Sequence, residues 1–239
     1  MSDGILLTVL ALGFVLGLKH ALDPDHMVAV STIVSESKSI ARSSLVGTFW
    51  GLGHTMSLLL AGIAVIAFRI RIPDRVALWM EFTVALMLVM LGLKALLKPL
   101  RSRKVHVHRH NHDGSSHIHV HMHRPGEEHA HHHRHLIGFG ARPFFVGMVH
   151  GMAGSAALMI LVLATIPSAV AGLLYIAVFG LGSVGGMLIM SSLISLPFVL
   201  AKKRFRVLSE GLQVTVGLFS LGFGLFLAWQ YGFREHLIL

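Results

Sequence analysis

His20-Ala21-Leu22-Asp23-Pro24-Asp25-His26 stands inside an apolar segment that runs from Ile5 to Ser31. An ionisable side chain is expensive at the centre of a bilayer, and this stretch holds four within seven residues. Read as a loop, it would leave Ile5–Leu18 alone, too short to span comfortably. It therefore reads as a break inside one membrane helix. Positions i, i+3, i+5 and i+6 do not share a face of a helix that turns about 100° per residue. Pro24 removes the difficulty, because it has no amide proton and clashes with the preceding turn. Asp23 then caps a new helix with Pro24 at its first position. The break is expected to free the His20 carbonyl and to let side chains on both pieces converge. Imidazole and carboxylate together suit divalent nickel, cobalt or zinc, and a bound dication would account for the buried charge.

The rest of the chain fits a membrane setting. Of 239 residues, 54% are hydrophobic and 13% charged, about half the usual charged share of a soluble domain. Six apolar segments are long enough to span: Ile5–Ser31, Ser44–Phe68, Val76–Leu97, Phe144–Ile166, Ala169–Leu200 and Val207–Tyr231. The first lacks a basic flank and a small-residue cleavage site, so it does not read as a signal peptide. The absence of cysteine excludes disulfides, iron–sulfur clusters and thiolate metal sites. The net charge of +9 does not point to nucleic acid, because the charges fall between apolar segments, as in loops at a membrane surface.

With six spans, Lys38, Arg42, the long loop's basic residues, Lys202, Lys203, Arg204 and Arg206 share one side. Arg69, Arg71, Arg75 and Arg234 share the other. The richer side is cytoplasmic by the positive-inside rule, which places both termini outside. Between the third and fourth spans, His106–His135 is a low-complexity tract of His with Arg, Gly, Ser and acidic residues. It carries too little apolar content to order itself without metal.

An internal repeat flanks this loop. Gly17-Leu18-Lys19-His20 matches Gly147-Met148-Val149-His150, Trp50-Gly51-Leu52-Gly53-His54 matches Phe179-Gly180-Leu181-Gly182-Ser183, and Glu81 matches Glu210, all at offsets of 129 or 130. A repeated unit of three spans inverts its topology, as in many secondary transporters with a midplane substrate site. The expected fold is thus all-α and polytopic, with about six transmembrane helices as two inverted three-helix repeats. The first repeat, with the metal site, covers 1–98, the His-rich loop 99–142, and the second repeat 143–239.

The candidate metal ligands are His20, Asp25 and His26, with Asp23 beside them and His54 from the second span. Glycines at Gly51 and Gly53 allow close helix approach there. Candidate pathway residues are His150, Glu81, Glu210 and Lys19. Glu81 and Glu210 read equally as interfacial residues reaching water near Arg75 and Arg206. In the second half, Ala153-Gly154-Ser155-Ala156 replaces the acidic core of the first, and Ser183 replaces His54. That half reads as a scaffold. His106, His108, His110 and His112, then His117, His119, His121 and His123, alternate along the loop as an accessory metal-binding tract.

The stretch His20 to His26 resembles the H-x4-D-H signature of the nickel/cobalt transporter family. Gly17-Leu18-Lys19, Val28-Ala29-Val30-Ser31-Thr32 and Gly51-Leu52-Gly53-His54 extend the likeness. Typical members have eight spans with the motif in the second, so this chain resembles a version lacking the first. The resemblance implies a multi-pass permease of the cell membrane that carries Ni2+ or Co2+ as substrate and uses no cofactor. It implies His20, Asp25 and His26 as the metal site, with His54 less firmly matched. The Asp-Pro-Asp-His core is closer to the uptake group, whereas the His-rich loop is similar to that of the related efflux proteins. Uptake is the favoured direction and metal efflux the alternative. An intramembrane metalloenzyme is the rival from another class, but H-E-x-x-H is absent, as is G-x4-G-K-[ST] for nucleotide. The expected partners are the metal ion and the lipid bilayer, with no nucleic acid. A homo-oligomer or accessory subunit stays open.

Overall fold

The computed structural model describes residues 3–37, 39–68, 73–101, 106–112, 115–121, 136–153, 168–235 and 237. The first apolar segment is two helices, α1 (Asp3–His20) and α2 (Pro24–Val34), whose axes differ by 54°. Pro24 opens α2 as expected. Two local details differ from the sequence reading. Asp23 occupies the cap position in extended conformation, but its carboxylate makes no capping bond. It lies 2.7 Å from Nδ1 of His20 instead. The His20 carbonyl is also taken, because the Asp23 amide turns back onto it at 3.1 Å.

The other helices are α3 (Ile40–Phe68), α4 (Asp74–Arg101), α5 (Leu136–Gly151), α6 (Ala169–Arg204) and α7 (Arg206–Trp229), closed by a π-helical turn over Gln230–Arg234. By length and composition, Ile40–Phe68, Asp74–Leu97, Ala169–Lys202 and Val207–Arg234 can each cross a membrane, and the bent α1–α2 pair can make a fifth span. The expected fourth span starts earlier than its apolar run, at Leu136, because Pro143 is accommodated inside α5. Its continuation, 154–167, lies outside the described residues.

The surface is that of a protein in lipid. Large apolar side chains such as Leu7, Phe68, Leu181, Leu200 and Val207 face outward, while Ser43, Ser183, Ser191, Ser195 and Ser220 are buried among the helices. The bilayer removes the drive to hide apolar side chains, so small residues that allow close approach hold the helices together. Helix α1 packs on α6, α5 on α3, and α4 on α7. A Cβ at Gly17 would collide with the Phe179 carbonyl of α6, and one at Gly182 of α6 with the Phe14 carbonyl of α1. The α3–α5 pair repeats the arrangement: a Cβ at Gly147 would strike the Trp50 carbonyl, and one at Gly53 the Phe144 carbonyl. At the membrane edge, Lys202 on α6 donates from Nζ to the carbonyls of Ser35 at 2.9 Å and Ser37 at 3.0 Å, tying the end of α2 down.

The described spans are all helical, as expected, but the His-rich tract, read as unable to order itself without metal, holds two short strands. Strands β1 (His106–His112) and β2 (Ser115–His121) form an antiparallel hairpin in which His106 pairs with His121, His108 with His119 and His110 with His117. The alternation of His with Val, Ile or Arg over these runs has the period of a strand, which the low-complexity reading passed over. His123 lies outside the described residues.

Candidate metal centre

The bend at Ala21–Asp23 turns the end of α1 and the start of α2 toward each other. His20 and His26 consequently meet with ring centroids 4.5 Å apart. Helix α3 brings His54 to 5.0 Å from His20 and 5.2 Å from His26. Helix α5 ends one residue past His150, the repeat match of the last residue of α1, and the His150 ring lies 4.0 Å from that of His26, tilted by 59°. All four rings are buried. The sequence placed His20, Asp25, His26 and His54 in one site; the structure brings them together and seats His150 against them.

Two carboxylates hold this group. Asp25 accepts from the His26 amide at 2.9 Å and faces Nδ1 of the same ring at 3.2 Å, through Oδ1. Its Oδ2 accepts a hydrogen bond from Nε2 of His150 at 2.9 Å. Asp23 holds His20 in the same way. Each of these three imidazoles therefore has one nitrogen on a carboxylate and the other, Nε2 of His20 and His26 and Nδ1 of His150, buried without a hydrogen-bond partner. His54 has neither nitrogen satisfied. A buried polar atom with no partner costs about 1–3 kcal/mol, so four such rings together are a standing liability unless something binds them. The carboxylate-behind-imidazole arrangement is the one that fixes tautomer and orientation at metal centres.

Ligand atoms of His20, His26 and His54 lie within 4.8 Å of one another, and so do those of Asp25, His26 and His150. Metal–nitrogen bonds of about 2.0–2.1 Å allow at most roughly 4.2 Å between two ligands of one ion. Closing either group on a dication needs only a small contraction.

A cavity of about 330 Å³ opens onto the cluster, lined by His20, Asp23, Asp25, His26 and His150 together with Glu81, Val84, Ala153, Phe223, Leu227 and Tyr231. Glu81 thus faces the same space as the imidazoles, with Tyr231 within hydrogen-bonding reach of it. Lys19 and Glu210 are exposed on the outside of α1 and α7 and do not line this cavity. Sequence reading missed Tyr231, which looked like an aromatic at the end of a span. It also missed Trp50, whose indole lies 5.6 Å from the His150 ring with its N–H unpaired.

The unpaired nitrogens of His54 give a direct test. Replacing His54 with leucine, of similar size, removes two unsatisfied buried groups, and the thermal midpoint of the metal-free protein in detergent is expected to rise by several degrees. A fall would mean that the ring is satisfied by something other than a metal.

A family profile described as high-affinity nickel-transport protein, NicO, matches residues 6–221. A urease accessory protein, UreH, from Bacillus sp. (strain TB-90) is 40% identical over 237 residues, covering 99% of this chain and 97% of that protein. Two Arabidopsis thaliana proteins, chloroplast protein FOR GROWTH AND FERTILITY 1 and 2, are 26% and 25% identical over 215 residues. Those matches cover 89% of this chain but only 56% and 54% of theirs. No solved structure matches.

Proposed function

The chain belongs to the NicO family of nickel-transport proteins, and from that premise we propose that it is a cell-membrane permease carrying nickel, and cobalt as a second substrate, into the cytoplasm. The family is one of transporters, not of enzymes. The observation that carries the proposal is the set of four buried imidazoles with unsatisfied nitrogens, gathered from α1, α2, α3 and α5 at a cavity edge. Nitrogen donors of this kind suit nickel and cobalt and discriminate against magnesium and calcium, which prefer oxygen. The ion would shed its water onto His20, His26 and His54, while Asp25 offsets part of its charge in a low-dielectric setting.

The two halves are read as inverted three-helix repeats that rock about the site and open it to each side in turn. Supporting this, the glycine contacts of α1 with α6 recur, at the repeat offset, between α5 and α3. The motion is therefore expected to be one of helix pairs, with the broken α1–α2 segment at its centre. The His-rich hairpin is an accessory metal-binding segment, and deleting His106–His135 is expected to leave transport in place.

Direction is read out by growth. Cells expressing the protein are expected to become more sensitive to nickel and to cobalt than cells carrying an empty vector, and to accumulate more nickel-63. Protection against the metals would reverse the direction and make the protein an exporter.

A further inference from the structure

His26 belongs to two ligand groups at once, one with His20 and His54 and one with Asp25 and His150. The groups differ in charge. The first is three imidazoles with no carboxylate, whereas the second includes one. They differ in place as well. All three members of the second group line the cavity, whereas in the first His20 and His26 do and His54, fully buried behind them, does not. A single carboxylate, 30% exposed, spans the second group. Its Oδ2 holds His150 from α5 and its Oδ1 holds His26 from α2, and both rings keep their other nitrogen unpaired. An ionised carboxylate has about four lone-pair positions, so Asp25 can accept these bonds and still offer an oxygen to an ion.

We propose that Asp25, His26 and His150 form a second nickel position on the cavity side of the trihistidine group, and that the ion passes between the two positions by exchanging ligands around His26. The proposal rests on the permease reading and extends it. An arriving dication meets the anionic position first, where the carboxylate offsets the loss of hydration. It then moves to a set of imidazoles with no carboxylate among its ligands, where Asp25 offsets the charge only from behind His26, so the ion is held less tightly, which favours onward release. His26 never lets go, so the ion is not bare at any stage. His150 is the one member of the cluster from the second half of the chain, and relative movement of the halves would make or break the outer position.

The test is nickel-63 exchange across proteoliposomes containing the full chain, which does not depend on the net direction of transport. Loss of an outer ligand in His150→Ala should raise the KM for nickel by at least the roughly 10–100-fold seen when metal-site partners are removed. His54→Leu should lower the maximal rate with KM little changed, because the outer position remains. His150→Gln keeps a donor for Asp25 Oδ2 but no imidazole, and it should behave like His150→Ala. Wild-type KM in His150→Gln would show that the ring only braces Asp25 and would overturn the second position. Unchanged KM in His150→Ala would overturn it too. In both of those outcomes the wild type still exchanges nickel and the permease reading stands. Absence of saturable exchange by the wild type would bring down that reading itself.

Discussion

Replacing His26 with alanine is expected to stop nickel-63 accumulation almost completely, with initial rates down by more than about 100-fold, since partners one shell further out are alone worth roughly 10–100-fold at metal sites. The size of the effect follows from position. His26 is the only residue common to both groups of converging ligand atoms, and it lies within 5.2 Å of every other imidazole of the cluster, centroid to centroid. Removing it leaves His20 with His54 on one side and Asp25 with His150 on the other, and neither remnant offers three donors. Membrane insertion should survive. The α2 helix keeps Pro24 at its first position, and the lost imidazole carries an unsatisfied Nε2 whose removal relieves the metal-free protein. The measurement is accumulation at matched protein levels in the membrane fraction. Rates within twofold of wild type would remove the cluster from the transport path.

The largest structural effect is expected from Gly17→Ala. A Cβ there would collide with the Phe179 carbonyl and stand 2.9 Å from the Ser183 nitrogen. Both are backbone atoms of α6, so no side chain can swing aside, and α1 and α6 must separate along their contact. Overpacking of this kind costs about 1–3 kcal/mol and sometimes more. Here it also displaces His20, one turn along α1, from its ring partners. The expected result is a clear drop in thermal midpoint in detergent together with loss of transport. Gly211→Ala is the control: nothing lies within 4 Å of its added methyl group, and trading glycine for alanine inside helix α7 should stabilise by about 1 kcal/mol. Equal behaviour of the two variants would mean that the α1–α6 contact is looser than described.

Much of this was legible in the sequence because the bilayer narrows the choices. Ionisable residues within an apolar run demand partners, and Pro24 dictates a break, so His20 and His26 could be brought together before any coordinates were known. Repeat matching singled out His150 as a candidate pathway residue, which a motif search alone would have passed over, but did not place it among the metal ligands. Other features depend on contacts between distant helices and leave no local trace. Asp23 looked like a helix cap because that is what aspartate before proline usually does. It turns to His20 because the imidazole, buried and one turn back, is the nearer partner. Glu81 and Glu210 occupy matching places in the repeat, yet of the two only Glu81 lines the cavity, while Glu210 is exposed near the start of α7. The hairpin was hidden by composition: histidine-rich sequence looks structureless until its period-two alternation is given weight.

Transport through the bundle requires nickel to reside among these imidazoles and not only on the histidines of the hairpin. Anomalous scattering at the nickel edge from crystals of the full protein grown with Ni2+ locates the ion directly. A peak is expected between the helices, with a His26 ring nitrogen at a bonding distance of about 2.0–2.1 Å. Peaks confined to the His106–His121 hairpin, with none beside His26 at saturating nickel, would contradict it.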